Sequence, residues 1–348
     1  MVLEEEAVRR VRVDLHARVG DESRQQVGVA REDHGVAVAV GHEHGLVDRR
    51  DPLEQGVVRL SPGAHRVVLR QPGLPAGRCV AVDRARAEHA AGDLAARRAA
   101  EYADLGFTAI KFDPAGPYAS FDPRQPSLAD LDRCERYVGQ IREAVGSRCD
   151  LLFGTHGQFT VSGAIRLARR LERFDPLWFE EPTPPESPEE MARVARATSI
   201  PIATGERLTT KYEFARVLET GAASILQMNL GRVGGLLEGK KIAGMAECHY
   251  AQIAPHLYCG PVVGAANIQL ATCTPNFLIL EGIGLWDGIH GELLTEPIRW
   301  EDGHVLPPTG PGLGVELDES VALAHPYDDT HLHLEAMPGE PPVRRPGA

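Results

Sequence analysis

The stretch PLWFEEPTPPESPEEMARVARATSIPIATGE, residues 176–206, contains one complete strand–helix–strand unit. PLWFEEP is a short apolar run closed by two glutamates and a proline, SPEEMARVARAT reads as a helix, and IPIATGE is a second apolar run ending on an acid. Short strands that are apolar at successive positions suit a parallel sheet covered on both faces. A helix between two of them is the crossover such a sheet needs. Glu180 and Glu206 therefore stand at two neighbouring strand ends.

The same alternation extends both ways. Upstream, DLAARRAAEYADLG has helical spacing and stops at Gly106, FTAIKFDP is a strand closed by Pro114, and LADLDRCERYVGQIREAVG is an amphipathic helix. The strand CDLLFGTH and the helix SGAIRLARRLERF follow. Downstream come EFARVLETG, SILQMN, LLEGKKIAGMAECH, AQIAPH, GAANIQLATCT and NFLILEG. Seven strands are readable, and RCVAVDRA is a candidate for an eighth. This predicts an α/β fold, a (β/α)8 TIM-type barrel over residues 93–310, with a C-terminal tail at 311–348. A doubly wound sheet is the alternative, but its glycine-rich first turn is missing, and GPGLGV (310–315) leads into no helix pattern.

Residues 1–92 differ in kind. Before Tyr102 the chain has no Phe, Trp, Tyr, Ile, Thr, Lys or Asn, which leaves little to fill a core at native density. The expectation is a degraded or atypical N-terminal region, or a shifted reading frame of a GC-rich gene. A net charge of −12 over 348 residues argues against a nucleic-acid surface. An anionic substrate would need a local cation. The six cysteines lie far apart and read as reduced thiols in a cytoplasmic protein. No run approaches the ~18 apolar residues of a membrane span, and MVLEEEAVRR is too charged for a signal peptide. HLHLE (331–335) has the composition of a metal cluster but reads as a solvated tail, and GHEHG (41–45) falls in the atypical N-terminal region and is given no functional weight.

The strand ends carry Lys111 with Asp113, His156, Glu180, Glu206, Asn229, His256 and Glu281, and from Glu180 onward they fall 23 to 27 residues apart. In a barrel these ends converge on one face. Glu180 and Glu206 are hard oxygen donors suited to Mg²⁺. A divalent ion could hold a substrate carboxylate and stabilise an enediolate, which removal of a weakly acidic α-proton requires. His256 is placed as the general base, His156 as the acid for a departing hydroxyl, and Glu281 as a hydrogen-bonding partner of the oxyanion. Lys111, one of four lysines, joins Asp113 and Arg207 as a candidate for substrate binding. The reaction would be β-elimination of water from a hydroxy acid.

WFEEP, IATGER, GGLLEGKKIAGMAE, APH and LILEG, spread over roughly residues 92–318, resemble the mandelate racemase/muconate lactonizing enzyme branch of the enolase superfamily. THG together with APH looks most like its galactonate dehydratase-type acid-sugar dehydratases. The resemblance implies a barrel with an α+β capping domain, a Mg²⁺ cofactor, a small acid-sugar substrate and a homo-oligomer. It places metal ligands on Glu180 and Glu206, the base on His256, the acid on His156 and the eighth-strand glutamate on Glu281. Three positions depart from it: the first metal ligand, an aspartate in the family, is Gly154; the aspartate that orients the base is Asn229; and the second Lys of Lys-x-Lys is Asp113. A racemase or cycloisomerase of the same superfamily, or a catalytically impaired barrel that only binds sugar acids, are the alternatives.

Overall fold

A computed structural model describes residues 26–32, 35–41, 79–82, 92–115, 122–282, 288–301 and 303–326. HLHLE and all of GHEHG except Gly41 lie outside the described residues. The chain forms two units, Met1–His65 and Arg66–Ala348. In the first, β1 (Gln26–Glu32) and β2 (Gly35–Gly41) pair antiparallel, with Gln26 opposite Gly41 and Glu32 opposite Gly35.

The second unit alternates strand and helix: β3 (Cys79–Val82), α1 (Gly92–Asp104), β4 (Ala109–Phe112), α2 (Leu128–Val145), β5 (Asp150–Gly154), α3 (Val161–Leu171), β6 (Trp178–Glu180) and α4 (Pro188–Ala195). It continues with β7 (Ile202–Thr204), α5 (Lys211–Thr220), β8 (Ile225–Leu226), α6 (Leu230–Val233), α7 (Gly235–Cys248), β9 (Gln252–Ile253), α8 (Pro261–Thr272) and β10 (Leu280–Gly282). Eight strands lie in the order β10-β3-β4-β5-β6-β7-β8-β9, and each pair is parallel. The ring closes where Phe277 bridges to Ile253 and the Leu278 N–H donates to the Ile253 carbonyl at 2.8 Å. Strand order follows the chain with no reversal, so the sheet is a barrel and not doubly wound. Its first strand is the RCVAVDRA segment, so the barrel takes in residues upstream of 93.

Local sequence sets where the helices begin and end. Ser127 and Asp130 form a capping box at the start of α2, and Thr210 and Glu213 form another at the start of α5. Gly221 closes α5 in the left-handed region at φ +67°. After the barrel come α9 (Ile289–Glu292), an antiparallel pair β11 (Trp300–Glu301) and β12 (His304–Val305), and α10 (Glu319–Ala324). Trp300 stacks on Phe107 with centroids 5.4 Å apart. Leu294 bridges to Leu317, so the described part of 311–348 is tied back to the segment that follows the last barrel strand.

Two packed layers build the barrel. Ala109, Leu152, Trp178, Ala203, Ile225, Ala254 and Ile279 form one buried cluster, a single residue from each of seven successive strand segments, which fills the barrel interior. Trp178 supplies the bulk there and the alanines make room for it. The alternate residues Ile110, Leu151, Phe153, Phe179, Ile202, Leu226 and Ile253 belong to the larger core against the helices.

Candidate active site

The site is the next interior layer. Two residues beyond Ala109, Leu152, Trp178, Ile225, Ala254 and Ile279 come Lys111, Gly154, Glu180, Gln227, His256 and Glu281, at the C-terminal ends of the strands. After β7 the chain needs an extra turn before its acid faces inward. Gly205 provides it at φ +141°, where an added Cβ would come 2.9 Å from the Gln227 nitrogen. Glu206 follows. Beyond β5, the Thr155 hydroxyl donates to the carbonyls of Glu180 (2.8 Å) and Glu181 (3.0 Å), and the Gly157 N–H donates to the Glu181 carbonyl. These bonds hold His156 and Glu181 at positive φ, +50° and +40°, a strain that persists only where surroundings enforce it.

Buried ions converge here. Lys111 Nζ lies 2.7 Å from Glu180 Oε1 and 2.8 Å from Glu281 Oε1, with all three side chains nearly inaccessible to water. Glu180 Oε2 accepts from Gln227 Nε2 at 2.6 Å. Glu281 Oε2 accepts from the Leu257 backbone N–H at 2.7 Å. Glu206 stands between two imidazoles, with Oε1 3.9 Å from His156 Nε2 and Oε2 3.4 Å from His256 Nε2.

The protonation states follow from burial set against charge. Burial alone would lower the Lys111 ammonium, but Glu180, Glu281 and Glu206 together hold it above the ordinary lysine range. Burial opposes ionisation of Glu281 and Glu206; Lys111 and His256 pull the first below the usual carboxylate range, and His156, His256 and Lys111 the second. For Glu180 burial wins over Lys111, and its carboxyl is raised. Glu181 is pushed up to about 8, chiefly by burial and then by Glu206, against the pull of Arg207.

Asn229 determines which nitrogen of His256 carries the proton. As N-cap of α6, its Oδ1 accepts from the Gly231 N–H at 2.9 Å, so its amide NH₂ faces the ring and lies 2.9 Å from His256 Nδ1. An NH₂ can only donate, which leaves Nδ1 as acceptor and puts the proton of the neutral ring on Nε2, toward Glu206. Asn267 steadies the same residue by donating to its carbonyl at 3.2 Å.

Of the sequence-predicted residues, Lys111, His156, Glu180, Glu206, Asn229, His256 and Glu281 come together. Asp113 is engaged elsewhere, accepting from Gln158 Nε2 and from the Ala115 N–H. Arg207 pairs with Glu181 at 3.2 Å and Glu186 at 3.3 Å. Sequence reasoning missed Gln227, although its place two residues after Ile225 was the available signal. It also missed Asn267, whose helix position carries no such mark.

The donor set does not fit Mg²⁺ as it stands. That ion asks for a near-octahedral oxygen shell, but the oxygens of Glu180 face the Lys111 ammonium and the Gln227 amide, and those of Glu206 face two imidazoles. Gly154 contributes no ligand. Among the described residues no group of three or more His, Cys, Asp or Glu is arranged to hold a metal ion. Also among these residues, no helix is long and apolar enough to cross a membrane.

Residues 94–321 match the family described as enolase C-terminal domain-like, and the chain belongs to it. Among its relatives is the D-xylonate dehydratase of Haloferax volcanii, 37% identical over 67% of this chain and 57% of that protein. The D-gluconate dehydratase of Thermoproteus tenax is 33% identical over 71% of this chain and 48% of that protein. The chain thus spans about half the length of the curated relatives it matches. A crystal structure described as of the mandelate racemase/muconate lactonizing enzyme type, from Labrenzia alexandrii, superposes with a TM-score of 0.71. It is 66% identical and covers 74% of this chain and 67% of its own.

Proposed function

We propose that this barrel is a hydro-lyase that dehydrates an aldonate-type acid sugar to its 2-keto-3-deoxy acid. The observation that carries the reading is Glu206 flanked by His156 and His256, beside a buried cation on Lys111. One imidazole removes the α-proton, and the C–H electron pair becomes the double bond of an enediolate. The β C–O bond then breaks, the second histidine, entering the step as an imidazolium, protonates the departing hydroxyl to water and is left neutral, and the enol tautomerises to the ketone. The Nε2–H that Asn229 imposes leaves the neutral His256 ring no lone pair toward Glu206, which gives the base's part to His156, the reverse of the role implied by resemblance. Glu281 positions Lys111, and Arg207 positions Glu181. Magnesium is given no step. Relatives named as xylonate, gluconate and galactonate dehydratases support the substrate class, and a homo-oligomer belongs to the same reading.

The test is a panel of aldonates incubated with the purified protein, scored for 2-keto-3-deoxy acids. Turnover of at least one member is expected, falling by roughly 10²–10⁴ in His156→Ala and in His256→Ala. A panel that binds without turnover would favour the non-catalytic alternative. Racemised or cyclised product without loss of water would favour the racemase or cycloisomerase.

A further inference from the structure

We infer that Lys111 is the resident cation of this pocket, seated by the missing side chain at Gly154, and that its ammonium does there the work a bound divalent ion would do. The inference deepens the proposed function by naming what receives the substrate carboxylate. Three observations carry it. The first is position: Nζ lies 2.7 Å from Glu180 and 2.8 Å from Glu281, ligands drawn from opposite parts of the strand order, and the side chain is only 7% exposed.

The second is room. A Cβ added at Gly154 would fall 2.9 Å from Lys111 Cε and 3.7 Å from Glu180 Oε1. Any acidic side chain at 154 would therefore contest the space of the lysine tip, so the glycine and the inward lysine go together. The third is charge. Two positive ions sharing these buried carboxylates would repel strongly at low dielectric, and the lysine is covalently present at all times.

An ammonium has three N–H donors. Glu281 accepts one of them and Glu180 faces the ammonium as an ion pair at 2.7 Å, which leaves a donor for the substrate carboxylate, whose negative charge grows as the α-proton leaves. A single charge fixed by two buried carboxylates needs no reorganisation at that moment.

The experiment is titration of the metal-free full chain with Mn²⁺, followed by electron paramagnetic resonance without substrate. Failure here leaves dehydration standing, and an inactive aldonate panel leaves this inference standing. The wild type is expected to show no stoichiometric site up to about 1 mM Mn²⁺. Lys111→Met, which removes the charge, should gain a single site at least about tenfold tighter. Lys111→Gln keeps an N–H donor toward the glutamates and serves if the methionine variant does not fold by circular dichroism. A wild type that binds one Mn²⁺ at micromolar concentration overturns the inference. So does a folded variant with no gain. If neither variant folds, the wild-type titration decides alone.

Discussion

Asn229 shows how one atom sets the chemistry of a neighbour. Its Oδ1 is committed to the Gly231 N–H, so the ring beside it meets a donor and not an acceptor. Aspartate at this position would keep the cap but accept from Nδ1–H, moving the neutral proton off Nε2. Asn229→Asp is therefore expected to move the proton of the neutral ring from Nε2 to Nδ1, with Tm nearly unchanged. Ring ¹⁵N shifts read the tautomer; an unchanged one would refute the assignment. Glu281 offers a second test. Its folded value lies below the ordinary one, so it contributes stability above the unfolded value of about 4.3 and loses that contribution as pH falls through the folded value. The gap in urea midpoint between wild type and Glu281→Gln should accordingly narrow below about pH 4.

At the level of elements, short polar signals decide where helices start, and therefore how strand ends are spaced around the ring. Thr210 Oγ1 accepts from the Glu213 N–H, and Glu213 Oε2 accepts from the Thr210 N–H at 2.8 Å. Thr210→Ala removes one half of this exchange and is expected to cost about 1 kcal/mol, read from the denaturant midpoint. Activity should be unaffected, since α5 lies outside the ring and its cap faces solvent. The strands need less instruction: two or three residues suffice for β8, β9 and β10 because neighbours on either side fix their register.

Across the whole molecule, the interior layer supports the site layer above it. Trp178 fills the space left by Ala109, Ala203 and Ala254 and is 2% exposed. Trp178→Ala should cost roughly 3–5 kcal/mol by opening a cavity, lowering Tm and loosening Glu180 two residues on, so kcat should fall together with stability. The alternation of apolar strand and helix, and the polar residue at each strand end, were legible in the chain, because a buried parallel strand must be apolar throughout and its exit must carry whatever faces the mouth. From this came the barrel and most of its site, including Lys111, Glu180, Glu206, His256 and Glu281. The partner each side chain chose was not legible. Whether Lys111 reaches Glu180 depends on the Cβ absent from another strand, 43 residues further along, and whether His256 accepts or donates depends on an amide fixed by the cap of α6. Such contacts join residues distant in sequence through packing, so only the closed ring decides them.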